Sequence, residues 1–281
     1  MLTSPDGINW DARSSGVVGD FSRVVQGNST FVIWQNNRSF STTIFSSTDL
    51  FNWTVRSSNS FPAIGSMIYA NDLFVATSSF GFILTSPDGL NWTHSATLSG
   101  KFGSEILQGI AYGNGTFVTV GVFGGIYHSQ DCVNWTPAAS IDSTLDTVAY
   151  GNGIFVVVGP NKIFTSSDGA NWTAKTSAPY PDFDIFSLAA GNNMFVALGD
   201  TLVAEPPAML MIFNSPDGVN WTNGPSMVNP SPSTLSFEHG IFFLTGSGGT
   251  ILTSTDGINW TGRTSRTTGY IGEVTFLNIP L

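Results

Sequence analysis

Apolar residues in this chain fall in short blocks, such as Phe31-Val32-Ile33-Trp34, Ile154-Phe155-Val156-Val157-Val158 and Ile241-Phe242-Phe243-Leu244. Blocks this short, rich in Val, Ile and Phe and bounded by Gly, Asn, Ser and Asp, predict strands. No helical period persists along the chain. The unbroken runs need cover on both faces of the strand, as where one sheet stacks on another. Polar phrases punctuate the blocks in two recurring forms. One is Gly-Asn-Gly, as in Ile110-Ala111-Tyr112-Gly113-Asn114-Gly115-Thr116-Phe117-Val118 and Val148-Ala149-Tyr150-Gly151-Asn152-Gly153-Ile154-Phe155-Val156, with weaker copies at Gly27-Asn28 and Gly191-Asn192. Asn-Gly between two apolar runs is a strong hairpin signal, because both turn residues must take positive φ.

The other phrase is S-x-D-G-x-N-W, usually followed by Thr. It begins at Ser4, Ser47, Ser86, Ser129, Ser166, Ser215 and Ser254 and ends at Trp10, Trp53, Trp92, Trp135, Trp172, Trp221 and Trp260. Leu50 and Cys132 replace the glycine in two copies. Successive tryptophans lie 37 to 49 residues apart. A period near 40–50 residues with several short strands is that of a propeller blade. Each unit reads as four strands, A to D: A ends at the Gly-Asn turn, B follows it, C ends at Ser-x-Asp, and D starts at Asn-Trp-Thr. Asp6, Asp49, Asp88, Asp131, Asp168, Asp217 and Asp256 are expected to accept backbone hydrogen bonds within their own turns. The tryptophan that follows each supplies a large apolar anchor.

The phrase resembles the Asp-box, or BNR, repeat of sialidases, photosystem II assembly-factor propellers and related β-propellers. That repeat is usually written S-x-D-x-G-x-T-W; here one residue fewer separates Asp from Trp, and Asn stands where Thr is frequent. The resemblance spans nearly the whole chain and implies architecture, not activity, because the box is a structural turn in that family. It is not extended to sialidase activity. Such enzymes need an arginine cluster, and Arg13, Arg23, Arg38, Arg56, Arg263 and Arg266 include none in the Arg-Ile-Pro phrase they carry.

The expected fold is all-β: a single seven-bladed β-propeller over residues 1–281, built of four-stranded blades. Residues 1–4 read as strand C and residues 273–278 as strand A, so strands from the two ends would share the seventh blade. No clear strand B remains for it, so that blade is incomplete or the chain is a piece of a longer array.

Propeller geometry puts the A–B and C–D turns on one face and the B–C and D–A loops on the other. The second set varies in length and composition: 13–21, 56–62, 95–105, 175–184, 223–232 and 263–271 between blades, with 200–208 the longest B–C loop. Loops on a rigid scaffold tend to carry function. This variable face is therefore the candidate binding face, with Arg13, Arg56, Trp34, Tyr180, Arg263 and Tyr270 as candidate contacts. Trp34, the one tryptophan outside the repeats, is a candidate sugar-stacking platform. Phe21, Phe61, Phe80, Phe102, Phe123, Tyr180 and Tyr270 make the loops aromatic, which suits a glycan or a protein interface.

Composition narrows the classes. Charged residues are 10% of the chain and the formal charge is −10, which disfavours nucleic acid as a partner. Without the seven turn aspartates the balance is only −3, so most of the acidity belongs to turns. No run of 18 apolar residues occurs, so no helical membrane insertion is expected. Cys132 stands alone, as an inert thiol. His94, His128 and His239 lack metal spacing, so no metal and no cofactor is expected. Asp20, Glu105, Asp146, Asp184 and Glu273 fall near strand A entries on the variable face. Two of them could converge as a glycosidase acid/base pair, which needs a separation of about 5–10 Å, or hold Ca²⁺. Asn-Trp-Thr in six repeats matches the glycosylation sequon, but turn chemistry already explains it. The preferred function is a non-catalytic binding or adhesion module, extracellular or on a virion or cell surface, with a glycan or a protein as partner. The alternatives are a glycoside hydrolase or lyase using channel-mouth carboxylates, and a protein-binding assembly or structural factor.

Overall fold

The computed structural model describes residues 2–4, 8, 10–12, 16–17, 21, 23–100, 103–160, 162–175, 183–201, 210–227, 232–272 and 274. Among these the protein is an all-β propeller of six four-stranded blades, not the seven expected. Blade 1 comprises Val24–Gly27, Thr30–Asn36, Ser41–Ser47 and Thr54–Pro62. Blade 2 comprises Ile64–Ala70, Leu73–Ser78, Phe82–Ser86 and Thr93–Thr97. Blade 3 has Leu107–Gly113, Thr116–Gly121, Gly125–Ser129 and Thr136–Ser140. Blade 4 has Thr147–Gly151, Ile154–Gly159, Lys162–Ser166 and Thr173–Lys175. Blade 5 has Phe183–Gly191, Met194–Thr201, Leu210–Ser215 and Thr222–Met227. Blade 6 has Pro232–Glu238, Ile241–Gly246, Ile251–Ser254 and Thr261–Gly262.

Each blade is an antiparallel meander, with chain neighbours as sheet neighbours. Among the described residues the seventh repeat contributes only the pair Leu2–Thr3 and Asp11–Ala12, in register Leu2 to Ala12 and Thr3 to Asp11. The count falls short because that repeat has a third and fourth strand but no described first or second. Even so, Trp10 and Val274, from opposite ends of the chain, are buried together against Phe243 and Ile251 of blade 6.

Local chemistry sets the hairpins. In all six blades the turn between the two inner strands holds two residues with positive φ: Asn28-Ser29, Asn71-Asp72, Asn114-Gly115, Asn152-Gly153, Asn192-Asn193 and His239-Gly240. Two positive φ values in succession match the twist of the flanking strands. These turns also stitch neighbours together: Asn152 Nδ2 donates to Pro216 O at 2.7 Å, and Asn192 Nδ2 to Thr255 O at 2.8 Å.

The core is a series of clusters, each shared by adjacent blades. Alternation along the second strand divides it between two neighbours: Phe74 and Ala76 face blade 1 with Val32, Trp34 and Ile44, whereas Val75 faces blade 3 with Leu107, Ile110 and Phe117. The same division recurs at Phe155 and Val157 against Val156 and Val158. This double burial explains the unbroken apolar runs.

Candidate functional site

The two propeller faces differ in how their polar groups are used. On one face, each described Ser-x-Asp turn repeats a single bonding scheme. Asp168 Oδ1 accepts from Ser166 Oγ at 2.9 Å, Ala170 N at 2.9 Å and Asn171 N at 2.8 Å, while Oδ2 accepts from Asn171 Nδ2 at 2.8 Å. Ser166 Oγ in turn accepts from Gly169 N at 2.8 Å. The scheme recurs at Asp49, Asp88, Asp131, Asp217 and Asp256; Asp6 lies outside the described residues. Bonds from the backbone N–H and side chain of Asn171 hold the Asp168 carboxyl well below the ordinary carboxylate range. Burial opposes the effect at Asp217, but the bonds from Asn220 and Val219 prevail and its pKa falls to about 2. These carboxylates are committed to structure. Leu50 and Cys132 take the left-handed φ, 65° and 59°, that glycine takes in the other described copies. Burial pushes the Cys132 thiol up to about 12, which makes it a poor nucleophile at neutral pH.

The candidate contacts on the variable face separate. Arg13 and Tyr180 lie outside the described residues. Trp34 is 0% exposed and packs between blades 1 and 2, so it is no stacking platform; the second strand runs on to Asn36 and carries the indole inside. Arg56 lies in the outermost strand of blade 1, not in a loop, and its Nε donates to Ser46 Oγ at 2.6 Å. Arg263 follows the matching strand of blade 6 and donates to Thr253 Oγ1 at 2.8 Å. Both guanidinium groups bond across the sheet to the neighbouring strand. Tyr270 is 62% exposed and its hydroxyl accepts from Ser233 Oγ at 3.1 Å.

Two further aromatics stand out of this face: Phe40 at 72% exposure and Phe80 at 57%. Both occupy turns between the second and third strands of their blades. Phe80 was legible as a loop aromatic in the sequence. Phe40 was not singled out, though it ends the polar stretch after Trp34.

The acids at the inner strands of blades 4 and 5 behave in the opposite sense to the turn aspartates. Asp146 precedes the inner strand of blade 4, and Asp184 lies in that of blade 5, paired in register with Asp200. Burial, then the charge of Asp184, raises the Asp146 pKa to about 6. Burial, then the charge of Asp200, raises that of Asp184. Asp146 Oδ2 and Asp184 Oδ1 find no hydrogen-bond partner among the described residues. Asp200 is the member that sequence reasoning missed, because it ends a strand instead of opening one. Half-buried carboxylates with elevated pKa can donate a proton near neutral pH.

Glu105 is different again. It is 0% exposed, and its Oε1 accepts from Phe123 N at 2.8 Å and Ile106 N at 3.2 Å. Gly100, Gly121 and Gly125 pack so closely on it that a Cβ at any of them would lie 2.5–2.6 Å from its side chain. It is a structural pin that ties the hairpin Ser99–Gly100 and Gly103–Ser104 to blade 3. Asp20 and Glu273 lie outside the described residues.

His94 stacks on Phe82 with ring centroids 4.2 Å apart, and His239 sits in an inner hairpin turn. No cluster of three or more metal-ligating side chains occurs among the described residues. No helix there is long and apolar enough to cross a membrane.

No protein-family profile matches the chain, and no curated protein sequence does. Solved structures do match. YCF48 bound to D1 peptide aligns with a TM-score of 0.61 at 16% identity, covering 86% of this chain and 81% of that one. A catalytically inactive virginiamycin B lyase from Staphylococcus aureus with quinupristin aligns with a TM-score of 0.67 at 13% identity, covering 88% and 84%. An ancestral GH74 enzyme aligns with a TM-score of 0.62 at 13% identity, covering 88% of this chain and 38% of that one. At such identities the likeness establishes the β-propeller fold, which these proteins put to different uses.

Proposed function

We propose that this chain is a non-catalytic binding or adhesion propeller that recognises a glycan or cell-surface ligand through its variable loop face. The observation that carries the reading is the asymmetry between the faces. One face spends its carboxylates on repeated turns. The other exposes Phe40, Phe80 and Tyr270 on loops of unlike sequence held by a rigid scaffold. Low charge and an abundance of Ser, Thr, Asn and Gly suit a ligand met through hydroxyls and ring faces. An extracellular, virion or cell-surface location fits that composition. In the same reading the turns are Asp-boxes, and Leu2–Thr3 and Asp11–Ala12 belong to a seventh, composite blade, a reading supported by the joint burial of Trp10 and Val274.

A glycan array supplemented with a pull-down tests this. Binding to a defined set of glycans supports it; a blank array beside one tight protein partner would instead favour a protein-binding factor, the use made of this fold by YCF48 with its D1 peptide.

A second reading has its own observation. The unpartnered oxygens of Asp146 and Asp184, with their raised pKa values, suit a glycoside hydrolase or lyase in which Asp146 is the general acid. Polysaccharide cleavage by the wild type that disappears in both Asp146→Asn and Asp184→Asn would establish it and displace the first reading.

A further inference from the structure

The variable face is not uniform. On blades 1 and 2 the loops of this face between residues 35 and 104 form a sector that carries no acid, with the buried Glu105 at its border, whereas blades 4 and 5 carry Asp142, Asp146, Asp184 and Asp200. Between residues 35 and 104 the acidic residues are Asp49 and Asp88, in Ser-x-Asp turns, and Asp72, in an inner hairpin turn. All three belong to the opposite face. In a chain of net charge −10, the loops of this face between residues 35 and 104 therefore hold only basic charge, with Arg38 exposed among them.

The sector is also built to be rigid. Asn37 Oδ1 accepts the N–H groups of Ser39 at 2.9 Å and Ser41 at 3.0 Å, and its Nδ2 donates to Ser41 Oγ at 2.7 Å. These bonds lock the turn that presents Arg38 and Phe40. Phe40 O then accepts from Ala63 N at 2.8 Å, and Ala63 O accepts from Ser79 N at 2.9 Å. One residue thus joins the Phe40 turn to the Phe80 turn, so the two turns that carry these exposed rings are tied together on adjacent blades.

Both phenylalanines sit at backbone positions that suit glycine. Phe40 has φ 57°. Phe80 has φ 61° and ψ 19° in the turn Ser79–Gly81, and the equivalent turn of blade 6, Ser247–Gly249, places Gly248 at φ 67° and ψ 19°. A bulky residue in the left-handed region is strained, and neither ring recovers the cost by burial. Strain without a packing return points to a ligand.

We propose that Phe40, Phe80 and Arg38 form a recognition site for an acidic polysaccharide, a refinement that rests on the glycan-binding function proposed above. The apolar C–H face of a pyranose stacks on the electron-rich face of a phenyl ring. The Arg38 guanidinium pairs with a carboxylate or sulfate on the sugar through two parallel N–H donors. The missing acids lower the repulsion that the rest of this protein would exert on such a chain. The locked turns reduce the ordering cost of binding.

The test is isothermal titration of the full chain with polygalacturonate, hyaluronate and chondroitin sulfate as acidic chains, dextran as a neutral one and polyglutamate as an acidic peptide. The expected result is binding to at least one acidic polysaccharide in preference to dextran and polyglutamate. Phe40→Gly with Phe80→Gly lowers that affinity at least tenfold while the melting temperature holds or rises, since glycine suits both positions. Arg38→Gln removes the preference over dextran. Equal binding of dextran, or an acidic chain bound undiminished by the double variant, overturns this site and leaves the glycan function standing. Equal capture of polyglutamate makes the occupant an acidic peptide and overturns it too. No binding to any polysaccharide, joined by a blank glycan array, overturns both.

Discussion

Asp168 and Asp146 are the same residue type, on opposite faces of one blade, and the fold treats them in opposite ways. Asp168 is open to solvent yet fully bonded, with four donors on its two oxygens. Asp146 is half-buried yet leaves Oδ2 without a donor among the described residues. Bonding lowers the first pKa and burial raises the second. The contrast separates carboxylates that build the blade from carboxylates available for chemistry. Sequence position on one or the other face is what sorts them.

Removing the turn carboxylate should have the largest effect. Asp168→Ala hands the exposed N–H groups of Ala170 and Asn171 to water and frees Ser166 Oγ, and should cost about 1–2 kcal/mol in urea denaturation. Asp168→Asn keeps one acceptor oxygen and should lose roughly half as much. Asp146→Asn should act in the other direction, stabilising the fold by about 1 kcal/mol at pH 8 after allowance for solvent screening of a half-exposed group. If both replacements destabilise alike, the distinction between the two carboxylates fails.

The pH profile sharpens the same comparison. A folded pKa raised to about 6 means that the contribution of Asp146 is complete below its unfolded value near 3.8 and is lost as pH rises through 6. The turn aspartates run the other way, with their contribution present above that unfolded value and lost as pH falls below it. Melting temperature should therefore peak in mildly acidic buffer. Asp146→Asn should flatten the decline between about pH 4 and pH 6 and leave the limb below pH 4 unchanged.

The smallest effect concerns the two turns that lack glycine. Leu50→Gly should be neutral or stabilising by about 0.5–1 kcal/mol, because it relieves a left-handed φ at a partly exposed site. Cys132→Gly relieves the same strain but empties a buried position between blades 2 and 3, and the two effects should nearly cancel. Parallel thermal melts of the pair decide this.

The blades were legible because their signals are local. The Gly-Asn turn, the Ser-x-Asp turn and the tryptophan each act within a few residues, so their spacing reports the fold directly. The blade count was less legible, since a turn phrase can recur where only two strands are described, as in the repeat that ends at Trp10. Site residues suffered more. Arg56 and Arg263 looked like loop cations because strand ends carry little sequence mark. Trp34 looked like a surface aromatic because a polar run follows it, and only its register opposite Ile44 shows that it points inward. Asp146 and Asp184 could be placed at the entries of inner strands, but the influence of Asp200 depends on a strand pairing that spacing does not reveal.

The sharing of every apolar cluster between neighbours has a consequence for how the molecule fails. No blade owns a complete interior, so excising any one of them would bare two greasy flanks at once and leave both adjoining units half-supported. Damage should therefore spread around the circle instead of staying where it began. Limited proteolysis would then yield either intact protein or small peptides, with few fragments of intermediate size.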